Sequence, residues 1–218
     1  MEIYELQDRI RTFCRSKEKY DDEFKTICAA LDLISDCNDA IHSYIELPSN
    51  SGRGINYVYI YGIIHILNIQ TDAVKVIYQH FLGKQLKLND KSNLQAINLL
   101  RNKVFSHQIK ISDGKFEGYG IAGDKLSSHS FMPYSLLGDF SDDKKEIIEM
   151  INDLAKNQIN NNFLFIEMNG LIEVHQNELS IIMEEICKSL GITELDEDIP
   201  YIKFPPHLEK LIKEIEVD

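Results

Sequence analysis

Apolar residues recur at helical spacing along most of the chain. The segment from residue 3 to about 18 has such a face, made of Leu6, Ile10 and Phe13. A second series starts after Asp21 and Asp22, which favour a helix start, and ends at Pro48. It contains Phe24, Ile27, Cys28, Leu31, Ile34, Ile41 and Ile45. Steps of three and four residues are typical of amphipathic helices, so we predict two helices followed by a loop at 48–54.

Residues 57–82 are the most apolar part of the sequence, and their local preference is ambiguous. The β-branched and aromatic residues of the first half favour a strand. The second half has helical periodicity and is followed by Gly83, a residue typical of helix C-terminal caps. We interpret the whole segment as one long buried helix. A further helix is expected from Asp90 as N-cap to a frayed end near His107. Its inner face would carry Leu94, Ile97, Leu100 and Val104.

The pattern changes at about 114–140, where glycines and prolines separate short apolar runs. Such punctuation predicts a small β-hairpin or meander packed on the helices. Helical periodicity returns from Ser141 and ends at Gly191; its long final series is Leu164, Met168, Leu171, His175, Leu179, Ile182, Ile186 and Leu190. The predicted fold is therefore mainly α, with one helical domain over residues 1–190 that contains the β insertion. Residues 191–218 form an acidic tail.

The charge is distributed unevenly along the chain. The net charge of −12 argues against nonspecific nucleic-acid binding, because phosphate contacts need local Lys and Arg. Residues 73–115, however, contain eight basic and two acidic residues, so this segment carries +6 and the rest of the chain −18. A basic island is what a specific phosphate site needs. The alternative is that these lysines only solvate an exposed helix face, and charge alone does not decide between the two.

Composition and termini indicate a cytoplasmic protein without a membrane partner. The N-terminal residues MEIYELQDRIRTF lack the basic and apolar regions of a signal peptide, and the apolar run at 57–67 is too short to span a membrane. The four cysteines have no CxxC spacing, and we interpret them as buried thiols: Cys14, Cys28, Cys37 and Cys187. No histidine has a partner at metal-ligand spacing, so neither a metal nor a cofactor is expected.

Arg101 and His107 are the pair best suited to chemistry within the basic island. Five residues separate them, about 9 Å of rise on a regular helix, and a long Arg and a His at a frayed helix end can converge on one phosphate. Arg offers a forked, permanently charged donor set that matches a phosphate. His exchanges a proton near neutral pH, as base toward a ribose 2′-hydroxyl or as acid toward the leaving 5′-oxygen. No metal is needed when the 2′-hydroxyl is the nucleophile.

The run Arg101, Asn102 and then His107 resembles the signature of the HEPN superfamily, in which a polar residue directly follows Arg and His comes after four to six positions. The segments YGIIHILNIQTDAVKVIYQHFLG and RNKVFSH, with the order of the flanking elements, look like a branch of bacterial HEPN-like proteins found in abortive-infection and toxin systems. The resemblance covers about residues 20–190. It implies an all-α bundle, a homodimer with a composite RNA cleft, and cleavage to a 2′,3′-cyclic phosphate and a 5′-hydroxyl.

The resemblance also implies roles for individual residues. Arg101 would stabilise the transition-state phosphate, and His107 would be the acid or base. Asn102 would orient His107 or the phosphate, and Ser106 would be a supporting hydroxyl. The lysines expected to bind RNA are Lys84, Lys87, Lys103 and Lys110. Some toxin members carry a Tyr two residues after the His, which a partner nucleotidyltransferase modifies; Ile109 stands there in this chain, which puts control by that kind of antitoxin in doubt. Another antitoxin or regulator protein remains an open partner.

Three functional alternatives follow. The chain is either a metal-independent endoribonuclease, acting as a toxin or phage-defence effector, or a non-catalytic HEPN-like helical module that binds a nucleotide or a partner protein and uses the same helix only as a dimer surface. A purely structural helical protein is the remaining alternative. Gln70 and Asp72 are polar groups in an apolar setting, and they would either brace Arg101 or lie exposed. His65 and His80 are interpreted as histidines of the core or of a helix face.

Overall fold

The computed structural model describes residues 2–16, 22–48, 51–88, 93–102, 110–112, 115–117, 119–121, 126–131, 133–135 and 166–192. Five α-helices account for most of the described residues: α1 (Ile3–Ser16), α2 (Asp22–Ile45), α3 (Arg53–Leu82), α4 (Asn93–Leu100) and α5 (Met168–Ser189). The predicted mainly α fold is confirmed. None of the helices in the described segments combines the length and hydropathy that crossing a membrane requires.

The ambiguous apolar segment is helical throughout, as α3. Its buried positions follow the helical period and not the alternation of a strand: Ile60, Ile63, Ile64, Leu67, Val74 and Ile77 are among them. Gly83 ends the helix in the left-handed conformation with φ 66°, and its N–H donates to the Gln79 carbonyl at 3.0 Å. Glycine adopts this conformation without steric cost. Burial on several sides therefore outweighs the local strand preference of the β-branched residues.

Short antiparallel strand pairs form the β layer. The strands are β1 (Lys110–Ser112), β2 (Lys115–Glu117), β3 (Tyr119–Ile121), β4 (Ser130–Phe131), β5 (Pro133–Ser135) and β6 (Ile166–Glu167). In the described residues, β1 pairs with β2, β3 with β5, and β4 with β6. The predicted β insertion is thus present, but it begins at Lys110 and takes in β6, which lies beyond the expected limit of about 140.

The periodic series starting at Leu164 becomes helical only at Met168. Ile166 pairs with Phe131 in the β4–β6 ladder, and both side chains are completely buried. The Met168 N–H donates to the His129 carbonyl at 2.8 Å instead of joining a helical turn. Backbone pairing with β4 therefore satisfies the groups that an earlier helix start would have used. The predicted helix from Ser141 and the acidic tail lie mainly outside the described residues.

Two apolar clusters form the helical core. The β-side cluster joins α2, α3, α4 and α5 to the β layer; its buried members include Ile41, Ile60, Ile64, Leu67, Ile97, Leu100, Phe131, Ile166 and Leu171. The α1-side cluster joins α1 to the other halves of the long helices, and it includes Leu6, Ile10, Leu31, Ile34, Val74, Ile77, Leu94, Leu179 and Met183. α4 contributes to both clusters. It therefore runs across the core from the α1-side cluster to the β-side cluster.

Candidate functional site

Arg101 and Asn102 lie at the C-terminal end of α4. They continue the helix for two residues as a wider π turn, and both side chains are half-buried. The preceding turn is held in the β-side cluster by Ala96, Ile97 and Leu100, each no more than 2% exposed. The apolar spacing that predicted this helix thus also fixes the position of Arg101. Single π turns within α-helices are often found at functional sites.

Asn102 is oriented by a neighbour on the same helix. Its Nδ2 donates to Asn98 Oδ1 at 3.2 Å, across the i, i+4 spacing that brings side chains of successive turns together. Both side chains are half-buried, so this amide pair is partly shielded from competing water. The sequence analysis did not single out Asn98. Its spacing to Asn102 was the available signal.

His107 and Ser106 lie outside the described residues, as does Lys103. Lys110 is placed by its backbone at the start of β1, opposite Glu117. The structure therefore brings Arg101 and Asn102 together at one helix end. The expected convergence of His107 on that end remains a prediction from the sequence.

Lys84 is held by an acidic partner. Its Nζ lies 3.2 Å from Glu185 Oε1 and 5.4 Å from the centroid of the Tyr78 ring. Tyr78 in turn donates its hydroxyl to the same carboxylate oxygen at 3.0 Å. The hydrogen bonds with Tyr78 and Glu185 raise the pKa of Lys84. Lys87 is exposed nearby in the chain. The charge of Lys84 is therefore matched locally by that of Glu185.

Lys84 and Arg101 lie beyond opposite ends of α4. Asn93, at the start of α4, donates to Glu178 Oε1 at 2.6 Å, whereas Glu185, the partner of Lys84, lies seven residues further along α5. Arg101 lies eight residues from Asn93 in the other direction, because α4 and α5 are antiparallel. Helical rise then separates the two basic groups by about 20 Å. The described part of the basic island is not one continuous patch.

A belt of polar side chains separates the two apolar clusters. We define the polar belt as Asn38 on α2, Gln70 and Thr71 on α3, and His175 and Gln176 on α5. Gln70 is completely buried. Its Nε2 donates to Asn38 Oδ1 at 2.7 Å, and its Oε1 accepts from Gln176 Nε2 at 2.8 Å. Gln70 therefore joins three helices and is not exposed, whereas Asp72 is exposed and pairs with Lys75 at 2.9 Å.

His175 is completely buried in this belt, and its neighbours fix its neutral form. The Thr71 hydroxyl donates to the Leu67 carbonyl at 2.9 Å, so its oxygen accepts from His175 Nε2 at 2.9 Å. Gln176 Nε2 lies 3.3 Å from Nδ1 and donates to it. Burial lowers the pKa of His175 to about 4. The ring is thus a structural connector. The sequence signal for this role was its position in the apolar series of α5.

The other histidines in the described segments are either exposed to solvent or paired with a neighbouring side chain. His65 is exposed, as a helix-face residue. His80 is half-buried and pairs with Glu23 at 2.9 Å. His129 Nδ1 lies 3.1 Å from Ser128 Oγ, but that hydroxyl is completely buried and donates to the Pro48 carbonyl at 2.7 Å. The serine is therefore not a nucleophile open to a substrate.

The cysteines agree with the expectation of buried thiols at three of four positions. Cys14, Cys37 and Cys187 are buried, Cys28 is half-buried, and all four are free. Burial raises the pKa of Cys14 and of Cys37 to about 11, so these thiols are poor nucleophiles. Among the described residues, no three His, Cys, Asp or Glu side chains converge in a way that would hold a metal ion.

Comparison with known proteins adds no relative: no family model, no curated protein and no solved structure matches this chain. What the described geometry offers is the half-buried Arg101 and, next to it in the chain, the Asn102 amide that is bonded to Asn98. Such a pair can bind a phosphate through charge-assisted hydrogen bonds. It supplies no acid or base by itself, so proton transfer would have to come from a neighbouring group such as His107.

Proposed function

We propose that this chain is a metal-independent endoribonuclease of the HEPN type that acts as a toxin or phage-defence effector. One observation carries the proposal. Arg101 and Asn102 stand at the end of a helix anchored in the core, six and five residues before His107. The hydrogen bond that Asn102 donates to Asn98 supports it, because it orients the polar residue that directly follows Arg in the HEPN signature.

The chemistry follows from the three residue types. His107 takes the proton of a ribose 2′-hydroxyl, whose oxygen attacks the adjacent phosphorus. The bond from phosphorus to the 5′-oxygen breaks, and that oxygen receives a proton from a second acid. Arg101 stabilises the negative charge that develops on the phosphorane oxygens. The products are a 2′,3′-cyclic phosphate and a 5′-hydroxyl.

A homodimer would supply both the base and the acid that this reaction needs. One base and one acid are needed on opposite sides of the phosphate, and each chain offers a single His107. Two copies that place their Arg101 and His107 across a two-fold axis supply both groups. Lys103 and Lys110 would neutralise neighbouring phosphates, whereas Lys84 contributes little because Glu185 already pairs with it, and Lys87 lies near Lys84 in the chain.

The test uses purified wild-type protein, Arg101→Ala and His107→Ala with single-stranded RNA in the presence of EDTA. We expect wild-type cleavage and a loss of about 100-fold or more in each variant, with unchanged circular dichroism and oligomeric state. The proposal would be contradicted if the wild-type protein cleaved none of the RNA substrates tried. Wild-type cleavage that both variants retain would also contradict it, because the activity would then reside elsewhere.

The same variants separate the enzyme from the non-catalytic module. If Arg101→Ala and His107→Ala alter only dimerisation or nucleotide binding, the helix end is a binding surface. Growth of bacteria that express each variant gives an independent readout: the enzyme slows growth, and the two variants relieve the effect.

A further inference from the structure

The helices α1 and α2 pack as an antiparallel pair whose register is fixed by an ion pair. Arg11 Nη1 on α1 lies 2.5 Å from Asp32 Oδ1 on α2. Toward the start of α1, the groove between the two helices is lined by Tyr4 and by Asp36, which is one turn beyond Asp32. Residues that come earlier on α1 therefore meet residues that come later on α2.

Cys14 and Cys28 occupy the next level of this pairing. Cys14 follows Arg11 by three residues, and Cys28 precedes Asp32 by four. Steps of three and four residues return to the same face of a helix, so both cysteines lie on the faces through which the helices meet. Burial is the main cause that raises the pKa of Cys14, and the nearby Cys28 thiol raises it further. Register and electrostatics thus agree that the two thiols are neighbours.

The other two cysteines lie away from this pair. Cys37 is nine residues beyond Cys28 on α2, about 13.5 Å along the helix. Cys187 Sγ on α5 lies 4.0 Å from the Leu6 carbonyl, and Leu6 precedes Cys14 by eight residues, about 12 Å along α1. Both separations exceed what a disulfide spans. Among the four cysteines, Cys14 and Cys28 are therefore the two that the fold places for a bond.

We propose that Cys14 and Cys28 form a disulfide when the protein meets a peroxide, and that this bond joins α1 to α2. The two thiols differ in access, since Cys28 is half-buried and Cys14 is only 7% exposed. Peroxide therefore reaches Cys28 first, and Cys14 reacts with the product from inside the core. An accessible thiol beside a resolving cysteine is typical of redox-sensing pairs.

The reaction balances with hydrogen peroxide as the oxidant. The Cys28 thiolate attacks one peroxide oxygen, the O–O bond breaks, and hydroxide leaves while Cys28 becomes a sulfenic acid. The Cys14 thiolate then attacks that sulfur, the S–O bond breaks, and a second hydroxide leaves as the S–S bond forms. The two hydroxides take up the two protons that the thiols release, which gives two molecules of water. Two electrons pass from the sulfurs to the peroxide.

The surroundings of the two thiols set the rate of this reaction. Burial and the neighbouring Asp32 raise the pKa of Cys28, whereas Arg11 and Arg15 on α1 lower it. Arg11 also lowers the pKa of Cys14 against the larger effect of burial. Both thiols are therefore mainly protonated at neutral pH, and oxidation is faster in mildly alkaline solution. Cys14 needs little thiolate, because the sulfur that it attacks is held opposite it in the same molecule.

The test treats the purified full chain with hydrogen peroxide in mildly alkaline buffer, blocks the remaining thiols with N-ethylmaleimide and digests the protein without reduction. We expect the loss of two of the four free thiols, and mass spectrometry should find the tryptic peptide 12–15 bonded to 26–53. Because 26–53 also contains Cys37, the matched control is Cys37→Ser, which should keep the disulfide. Cys28→Ser, a change at a half-buried position, should abolish it.

Three results would overturn the inference. They are a disulfide between two chains, a disulfide that includes Cys37 or Cys187, and oxidation of Cys28 to a sulfinic acid while Cys14 stays free. The last result would show that the two thiols do not face each other, because a neighbouring thiol consumes the sulfenic acid before it is oxidised further.

A disulfide in the native register should also stabilise the fold, because it closes a short loop in the unfolded chain. On peroxide treatment the midpoint of thermal unfolding of the wild type should rise by about 5 °C relative to the change in Cys28→Ser. That variant also corrects for methionine oxidation. An equal change in both proteins, or a lower wild-type midpoint, would mean that the bond forms only by distorting the helices, which would overturn the inference. Neither measurement involves RNA, so the outcome is independent of the proposed function.

Discussion

The two ends of α4 carry basic residues in different surroundings. At the first end, Lys84 is paired with Glu185 and lies over the Tyr78 ring, beside the α1-side cluster. At the second end, Arg101 and Asn102 leave the β-side cluster on a π turn, and the Asn98 side-chain oxygen accepts a hydrogen bond from Asn102. The difference shows that the +6 of residues 73–115 is a property of the sequence and not of one surface. At the second end the cation is followed directly in the chain by an amide that is bonded to Asn98.

The largest expected effect comes from changing the shape of the cation at the second end while keeping its charge. Arg101→Lys should lower the rate of RNA cleavage by about 100-fold, because an ammonium cannot make the forked contact that a guanidinium makes with phosphate oxygens. Single-turnover kinetics on a short labelled RNA measure this rate. A loss of less than about threefold would show that the positive charge alone suffices for RNA cleavage. The guanidinium of Arg101 would then have no advantage over an ammonium such as that of Lys84.

The polar belt between the two ends should give a pH-dependent stability of about 3 kcal/mol. The folded pKa of His175 is about 4, below its ordinary value of 6.5. The unfolded chain therefore binds this proton first, so the stabilisation is complete above pH 6.5 and is lost as the pH falls toward 4. Urea unfolding of the wild type and of His175→Gln across this range isolates the contribution.

The control for that prediction is His65→Gln, since His65 is exposed and lies on α3, a helix that also contributes to the polar belt. It should keep the wild-type pH dependence, whereas His175→Gln should flatten it. If both variants keep the wild-type slope between pH 6.5 and 4, the belt does not hold a neutral histidine.

Removing the amide next to Arg101 should have a smaller effect. Asn102→Ala should reduce cleavage about tenfold, the equivalent of one hydrogen bond to a charged group, without changing the midpoint of thermal unfolding by more than a few degrees. Asn98→Ala should act in the same direction but more weakly, because it only frees the Asn102 side chain. If Asn98→Ala reduces the cleavage rate more than Asn102→Ala does, Asn98 does not act only by orienting Asn102.

The smallest effect is expected at the first end of α4. Lys84→Ala should leave the cleavage rate within about threefold of wild type, because an ion-paired surface lysine adds little free charge. The matched comparison is the cleavage rate of Lys87→Ala, which changes an exposed lysine three residues further along the chain. A loss in Lys84→Ala as large as that in Arg101→Lys would show that RNA reaches both ends of α4, and the contrast between them would fail.

The helices could be predicted from the sequence because their apolar period is long and regular. Even α3 follows it, despite β-branched residues such as Val58 and Ile60, since burial decides where local preference is ambiguous. The start of α5 was not predictable in the same way. Leu164 and Met168 have helical spacing, yet Ile166 between them pairs with Phe131 some 35 residues earlier, and a contact between distant segments leaves no local signal.

The candidate site was predictable only in part, for a similar reason. The motif identified Arg101 and Asn102, and the apolar spacing of α4 placed them at a helix end. The separation of Lys84 from Arg101 depends on how α4 crosses α5, which the sequence does not reveal. Likewise Gln70 and His175 are polar residues in apolar series, and only the packing of three helices shows that they bond within one belt.

The chemistry of the RNA ends tests the central claim most directly. Wild-type protein is incubated with single-stranded RNA in excess EDTA, and the fragments are examined for their termini. The account predicts 5′-hydroxyl ends, which a polynucleotide kinase labels without prior phosphatase treatment, and matching 2′,3′-cyclic phosphates, both absent with Arg101→Ala. Fragments with 5′-phosphate ends, or cleavage that EDTA abolishes, would contradict a metal-independent reaction driven by Arg101 and His107.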